Sequence, residues 1–269
     1  MPDGRPIGIF DSGVGGLTVA RAVIDLLPHE SLVYLGDTAH SPYGPRSREE
    51  IRGFATEAAR SLVARDIKML VVACNSVEVS AIEDVVRTAQ VPVVGVVEPG
   101  VRAAARASRS GVVGLIGTEA TVASGQYERA AGAATAGIRL VSRACPAFVD
   151  HVERGDTSSE GLLELARGYL APLQDAGVDT LILGCTHYPL LSGMLSYVMG
   201  PEVVLVSSAE ETAKDVYAAL LDLDLAAPAG SEARYEFLAT GDPGQFQGLA
   251  EIFLGPEVTI VTSVEAAWN

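Results

Sequence analysis

The segment "TLILGCTHYPLL", residues 180–191, ends an apolar run with Cys185 and two polar residues. A second segment, "MLVVACNSVEVS" at residues 69–80, has the same form around Cys74. Short, continuous apolar runs predict strands that are covered on both faces, as in a parallel sheet. Ligands of open α/β sheets bind outside the carboxyl ends of strands, so we expect both cysteines to lie where a site can form. The polar residues after each cysteine are expected to open a helix, whose start favours a thiolate.

The rest of the chain alternates strands with helices in the same way. Of its 269 residues, 48% are hydrophobic and only 6% aromatic, which is typical of a buried parallel sheet covered by alanine-rich helices. We therefore predict an α/β fold with mainly parallel sheets. The predicted strands are residues 7–10, 32–36, 69–73, 91–97, 112–117, 139–142, 180–184, 203–207 and 258–262, the predicted helices are 17–27, 48–65 and 158–176, and the clearest loop is 225–233.

An internal repeat indicates that the fold consists of two pseudo-symmetric, doubly wound domains. One shift of the chain aligns Cys74 with Cys185, and a similar shift aligns Ser12 with Thr118. Two such halves facing each other would direct two thiols at one cleft. Opposed thiols suit the removal of a proton from one side of a carbon and the delivery of another from the opposite side. Alternatively, the cysteines are small core residues, which is our interpretation of Cys145, a residue without a counterpart.

Composition limits the partners and cofactors. The formal net charge of −15 argues against direct binding to nucleic acid or to an anionic membrane. The absence of a secretory leader and of a run of about 20 apolar residues predicts a cytoplasmic protein with free thiols. The three scattered cysteines predict no metal site, and neither lysine, Lys68 nor Lys214, adjoins a glycine-rich loop where pyridoxal phosphate could be held. We expect no cofactor.

Two loops are candidates for binding. The segment "DSGVGGLTV" (11–19) is either a tight strand-to-helix turn or a turn whose amides bind a carboxylate, with Asp11 and Ser12 reaching the ligand. It lacks the Lys-Ser/Thr ending of a phosphate loop. The polar loop "GDTAHSPYGPRS" (36–47) lines a site or merely connects two elements.

Five motifs in order, "IFDSGVGGLTV", "YLGDTAHSPYGPRS", "VVACNS", "CPAFVDHVE" and "LILGCTHYPLL", resemble those of the cofactor-independent Asp/Glu racemases, and of their glutamate-specific members in particular. The resemblance continues through "FLATGDPGQF" (237–246) and so spans nearly the whole chain. It implies one domain formed by residues 1–97 plus 208–269, a second formed by 98–207, and an active site in the cleft between them. It also implies conversion of L-glutamate to D-glutamate for peptidoglycan.

The resemblance assigns roles to single residues. Cys74 and Cys185 match the two catalytic thiols, with Cys74 on the D-face and Cys185 on the L-face. Asp11 and Glu153 would assist near Cys74, and His187 near Cys185. The expected substrate-binding residues, with Thr118 added through the internal repeat, are Asp11, Ser12, Asp37, Tyr43, Gly44, Asn75, Ser76, Thr118, Thr186 and His187.

One residue departs from the family pattern. Relatives carry a small residue where this chain has Glu78, about one turn after Cys74. Facing the cleft, its carboxylate would oppose thiolate formation, whereas facing solvent it would suit a helix start.

Two alternatives to glutamate racemisation remain open. One is a racemase of another acidic amino acid such as aspartate. The other is a binding protein that inhibits DNA gyrase, because an acidic chain can bind a basic surface. A homodimer is also expected.

Overall fold

The computed structural model describes residues 2–134, 137–258 and 260–264, and the chain divides into two compact units. The first consists of Met1–Val96 and Ala209–Asn269, and the second of Val97–Ser208. The strands are β1 (Ile7–Asp11), β2 (Leu32–Gly36), β3 (Met69–Val72), β4 (Val93–Val94), β5 (Val112–Gly117), β6 (Arg139–Ala144), β7 (Thr180–Gly184), β8 (Val204–Val206), β9 (Tyr235–Ala239) and β10 (Val261–Ser263). The helices are α1 (Leu17–Leu26), α2 (Arg48–Val63), α3 (Asn75–Ala89), α4 (Val97–Ala107), α5 (Glu119–Ala123), α6 (Gln126–Ala134), α7 (Ala147–Glu153), α8 (Glu160–Asp175), α9 (Ser192–Met199), α10 (Ala209–Asp222) and α11 (Pro243–Leu254), with 3₁₀ turns at Tyr188–Leu191 and Gly255–Glu257.

Each unit contains one parallel sheet. Within the described residues, the first sheet has the order β10-β9-β2-β1-β3-β4 and the second the order β6-β5-β7-β8, and every recorded strand pair is parallel. The order β2-β1-β3-β4 therefore recurs as β6-β5-β7-β8. This repeated topology confirms the predicted fold class of two pseudo-symmetric α/β domains, and it makes β1 equivalent to β5 and β3 equivalent to β7.

Helices cover both faces of the first sheet. Ile9 and Val71 belong to a hydrophobic cluster that includes residues of α1, α10 and α11. Phe10 and Val72, the next residues along the same strands, belong to a cluster that includes residues of α2 and α3. Successive side chains of a strand point to opposite faces, so every position of these strands is buried. This double burial explains why the runs are continuously apolar.

Two predicted strands differ from the observed ones by more than two residues in total. Residues 91–97 were expected to form one strand, but β4 covers only Val93–Val94, and α4 begins at Val97. In the same segment, the buried carboxylate of Glu78 accepts a hydrogen bond from the amide of Val96. The predicted strand 258–262 includes Thr259, which lies outside the described residues, and β10 begins only at Val261.

The C-terminal segment adds two strands to the first sheet. Strand β9, which the sequence pattern did not indicate, pairs with β2 from Leu32 opposite Tyr235 to Gly36 opposite Ala239. The predicted loop 225–233 precedes it and has no helix or strand. Among the described residues, no helix combines the length and the apolar character needed to cross a bilayer.

Candidate active site

Cys74 lies between the end of β3 and the start of α3, and only 5% of it is exposed. Its thiol donates a hydrogen bond to the hydroxyl of Ser12, with 3.5 Å between Sγ and Oγ. Ser12 directly follows β1, the neighbouring strand. The parallel pairing of β1 and β3 thus brings the first predicted thiol and the first predicted hydroxyl together.

Asp11 anchors the glycine-rich turn beside this thiol. Its buried carboxylate accepts a hydrogen bond from the amide of Gly13 at 3.0 Å, and the carbonyl of Gly13 accepts another from the hydroxyl of Tyr34 at 2.9 Å. A Cβ at Gly16 would lie only 2.5 Å from the Cβ of Asp11, so glycine is required for α1 to begin this close to the carboxylate. The turn therefore has the structural role that was one of its two interpretations, and it fixes the Asp11 carboxylate.

The environment of Cys74 favours its protonated form. Burial, followed by the negative charge of Asp11, raises the pKa of the Cys74 thiol to about 12. Hydrogen bonds that Ser12 and the amide of Val77 can donate to the thiolate oppose this shift. The thiol of Cys74 is therefore protonated at neutral pH in the unliganded protein.

Cys185 lies at the end of β7 and has different neighbours. Its Sγ is 3.7 Å from Nδ1 of His187, and Nε2 of His187 is 3.5 Å from a carboxylate oxygen of Glu153. A thiol, an imidazole and a carboxylate in this order allow the imidazole to take the thiol proton while the carboxylate stabilises the resulting cation. Glu153 lies beside His187 because α7 ends beside the turn that follows β7, and its assignment to Cys74 stays a prediction.

No α-helix begins directly after Cys185, contrary to the expectation from its polar neighbours. Residues 185–187 form a turn, and a 3₁₀ helix follows at Tyr188–Leu191. The buried hydroxyl of Tyr188 donates to the carbonyl of Cys145 at 2.8 Å and holds this tighter turn in place. Cys145 is itself fully buried, and burial raises the pKa of its thiol to about 12, in agreement with its interpretation as a packing residue.

The strand register places a hydroxyl beside each thiol. In the first unit Phe10 pairs with Val72, so two residues further on Ser12 comes opposite Cys74. In the second unit Gly117 pairs with Gly184, so the next residues, Thr118 and Cys185, are also opposite each other. Thr118 additionally caps α5 by accepting a hydrogen bond from the amide of Thr121 at 3.2 Å. Thr118 and Ser12 thus occupy equivalent positions in the two halves.

Asp37, which follows β2, is the centre of a third cluster. Its buried carboxylate accepts hydrogen bonds from the hydroxyls of Tyr43 and Thr240 and lies 2.9 Å from Nδ1 of His40. Gly44, next to Tyr43, is half-buried. Sequence alone did not single out His40 or Thr240, although both lie in motifs that carry the family resemblance.

The remaining predicted residues lie close to the two thiols along the chain. Asn75, Ser76 and Thr186 directly follow Cys74 or Cys185 and are buried. Glu78 is buried as well, so its carboxylate does not face solvent. It lies against Gly95, where any Cβ would overlap it, and it is bonded to the amide of Val96.

Both lysines of the chain are engaged in ion pairs. Lys68 precedes β3, at the end of the strand opposite Cys74, and its Nζ is 2.5 Å from a carboxylate oxygen of Glu30. Lys214 lies on the surface of α10 with Glu211, at 2.6 Å. Neither is placed at the carboxyl end of a strand.

The chain thus has two parallel sheets of repeated topology, and each sheet has a buried cysteine at the carboxyl end of an equivalent strand, where ligands of α/β proteins bind. Residues 17–216 match the family model of the Asp/Glu/hydantoin racemases. The chain therefore belongs to this racemase family and is an isomerase.

Individual relatives agree with this assignment. A glutamate racemase from a Parafrankia species is 57% identical over 270 residues, which cover 98% of this chain and 96% of the relative. A glutamate racemase isoform from Bacillus anthracis superposes with a TM-score of 0.93 at 38% identity, covering 98% of this chain and 99% of that one. A glutamate racemase from Francisella tularensis in complex with D-glutamate has a TM-score of 0.90 at 33% identity and covers 98% of both chains.

Proposed function

We propose that the protein interconverts L-glutamate and D-glutamate, with Cys74 and Cys185 as the two acid–base groups. The observation that carries this proposal is the equivalent placement of the two thiols, each at the end of the same strand of a repeated topology and each opposite a hydroxyl residue. The relatives described above are glutamate racemases, one of them bound to D-glutamate, which favours glutamate over aspartate as the substrate.

The different surroundings of the thiols support a direction for each proton in the conversion of L-glutamate. Cys185 gives its proton to His187, and the thiolate removes the α-proton of L-glutamate, leaving the electron pair of the C–H bond on the substrate. Cys74, which is protonated in the unliganded protein, then breaks its S–H bond and delivers that proton to the opposite face of the carbon. The turnover leaves a thiolate on Cys74 and a proton on His187, and the resting state returns when Cys74 takes a proton from solvent water and His187 releases one to it. The conversion of D-glutamate follows the same steps in reverse, starting from the form in which Cys74 is the thiolate.

The anionic intermediate requires hydrogen-bond donors that are in place before the reaction. Short polar side chains at the strand ends are suited to this task, because they lie beside the thiols and lose little side-chain entropy on binding. We assign the binding of the substrate carboxylates and of the intermediate to the strand-end residues and the loop after β2: Ser12, Tyr43, Gly44, Asn75, Ser76, Thr118 and Thr186.

The cellular role follows from the product. We propose that the protein works in the cytoplasm without a cofactor, as a homodimer, and that its D-glutamate is used in peptidoglycan and so in maintaining cell shape. The gyrase-binding alternative gains no support from the described residues and stays a prediction.

The proposal is tested by incubating the purified protein, after dialysis against a chelator, with each enantiomer of glutamate and of aspartate in deuterated water. We expect each glutamate enantiomer to yield the other with deuterium at the α-carbon, and aspartate to remain unchanged. Activity that requires added metal or pyridoxal phosphate, or faster racemisation of aspartate, would contradict the proposal.

A further inference from the structure

The carboxylate of Asp37 connects two segments that are far apart in the chain. Thr240, in the C-terminal segment, donates its hydroxyl to one carboxylate oxygen at 2.6 Å. Tyr43, in the loop after β2, donates its hydroxyl to the other oxygen. His40 completes the set through Nδ1, and its ring stacks on Phe54 with 4.1 Å between the ring centroids. The buried carboxylate is thus held by three side chains.

Thr240 uses both hydrogen-bonding capacities of its hydroxyl in this contact. While it donates to Asp37, its oxygen accepts from the amide of Ala39 at 3.1 Å. Its own amide donates to the carbonyl of Gly36 at 3.2 Å, which continues the pairing of β9 with β2. Thr240 therefore binds the start of the loop after β2 at three points, two of which depend on the hydroxyl.

Tyr43 binds the carboxylate oxygen of Asp37 that Thr240 does not bind, and its hydroxyl depends on Asp37 for its position. The tyrosine is buried, and its ring packs against Phe10 and Phe54, with centroid distances of 6.4 and 5.5 Å. Burial, followed by the charge of Asp37, raises the pKa of the Tyr43 hydroxyl above its usual value, so the hydroxyl remains a neutral donor. A shift of the Asp37 carboxylate would leave this buried hydroxyl without its acceptor, which is costly.

We propose that Thr240 is a positioning residue for substrate binding, acting through Asp37 on Tyr43 and Gly44. This inference rests on the proposed glutamate racemisation, in which these two loop residues hold the substrate. The recorded hydrogen bonds of Thr240 go to Gly36, Asp37 and Ala39 and to neither thiol. Its loss therefore affects the binding of glutamate and leaves the proton transfers intact.

The first test compares Thr240→Val with Thr240→Ser in steady-state racemisation. Valine keeps the shape and removes the hydroxyl, and a hydrogen bond to a charged group corresponds to about tenfold in affinity. We expect KM for glutamate to rise about tenfold in Thr240→Val with kcat within about twofold, and to return to within about threefold in Thr240→Ser. Thr88→Val is the matched control, because Thr88 is also partly buried and donates its hydroxyl to the carbonyl of Asp84 at 2.8 Å, near the end of α3.

A double variant separates positioning from a general loss of stability. If Thr240 acts through Asp37 on Tyr43, then Tyr43→Phe raises KM similarly, and the double variant has about the KM of either single variant. If the two substitutions acted independently, their effects would multiply, and KM of the double variant would rise about a hundredfold. If Thr240→Val does not fold, Thr240→Ala carries the same expectation, since it places no methyl group against Asp37.

An unchanged KM in Thr240→Val, a fall in kcat alone, an equal effect in Thr88→Val or a multiplicative double variant would overturn the inference. Each of these outcomes requires a wild-type protein that racemises glutamate. A wild-type protein inactive on glutamate would contradict the proposed function itself, and the two failures are therefore distinguishable.

Discussion

The two thiols differ in the groups that surround them. Cys74 is buried and has the carboxylate of Asp11 nearby, so its proton is strongly held despite hydrogen bonds with Ser12 and the amide of Val77. Cys185 has an imidazole within 3.7 Å, and a carboxylate faces the other nitrogen of that ring. The two thiols therefore lie in different electrostatic surroundings, an anionic one for Cys74 and an imidazole–carboxylate pair for Cys185.

The raised pKa of Cys74 predicts how this thiol reacts with iodoacetamide. In a Cys145→Ser/Cys185→Ser background, Cys74 is the only remaining cysteine. Only the thiolate is alkylated, so we expect the rate to keep rising with pH well beyond about 8.5, the usual cysteine pKa. Adding Asp11→Asn removes the negative charge that raises the pKa, and the rate profile should therefore shift to lower pH.

Mass spectrometry of the alkylated protein between pH 7 and 11 measures this profile. Asp25→Asn is the control, because its carboxylate is exposed on α1 and pairs with Arg21. Two results would contradict the effect of Asp11 on the pKa of Cys74. One is a midpoint near the usual cysteine pKa in the Cys145→Ser/Cys185→Ser protein, and the other is a rate profile that Asp11→Asn does not shift.

At the scale of single elements, the strands could be predicted where burial on both faces is complete. The bounds of β2, β5 and β7 agree with the predicted ones because every residue of these runs is apolar or small. Strand β9 was missed because "YEFLA" mixes an exposed glutamate with apolar residues. The end of β4 was placed wrongly because the apolar run continues through Val96 and Val97, whereas α4 already begins at Val97.

In the candidate site, too, local sequence predicts single residues but not the contacts between segments that are far apart in the chain. Both thiols and their hydroxyl neighbours could be inferred, since each lies at the end of an apolar run. The pairing of Glu153 with His187 and of Thr240 with Asp37 depends on how distant segments pack, and no local pattern encodes it.

A buried ion pair at the start of β3 provides a prediction about stability. The ammonium of Lys68 is bound by Glu30 at 2.5 Å and by the carbonyl of Asp3 at 2.6 Å, and Glu30 also accepts from the amide of Ala227. Lys68→Met leaves the Glu30 carboxylate buried without its cation, so we expect the free energy of unfolding to fall by about 3–5 kcal/mol.

Urea unfolding of the variant against the wild type measures this loss. Lys214→Met, which breaks the exposed pair with Glu211, should cost no more than about 1 kcal/mol. Equal losses in the two variants would show that the buried pair has no special role in holding the N-terminal segment and the loop before β9.

At the scale of the whole molecule, each repeat of the topology contributes one thiol and one hydroxyl. The order β2-β1-β3-β4 provides Ser12 and Cys74, and the order β6-β5-β7-β8 provides Thr118 and Cys185. The first unit has in addition the C-terminal strands β9 and β10, and β9 brings Thr240 to Asp37. The repeat thus explains why each unit has one of the two proposed acid–base thiols, and the C-terminal segment explains how Asp37 is held in the first unit.

In the proposed mechanism, the two thiols act on opposite faces of one carbon. Serine in place of either cysteine keeps the shape but is far less acidic than a thiol, so racemisation should fall by about a thousandfold or more in Cys74→Ser and in Cys185→Ser. Each variant retains one thiol and can still remove a proton from one face.

Elimination from a glutamate with a leaving group at the β-carbon requires proton removal from only one face, and it therefore isolates each thiol. The measurement is the elimination rate of both single variants with each enantiomer of this analogue. The two-thiol account predicts that Cys74→Ser, which retains Cys185, prefers the L-enantiomer, and that Cys185→Ser prefers the D-enantiomer. The same preference in both variants, or normal racemisation by either one, would contradict it.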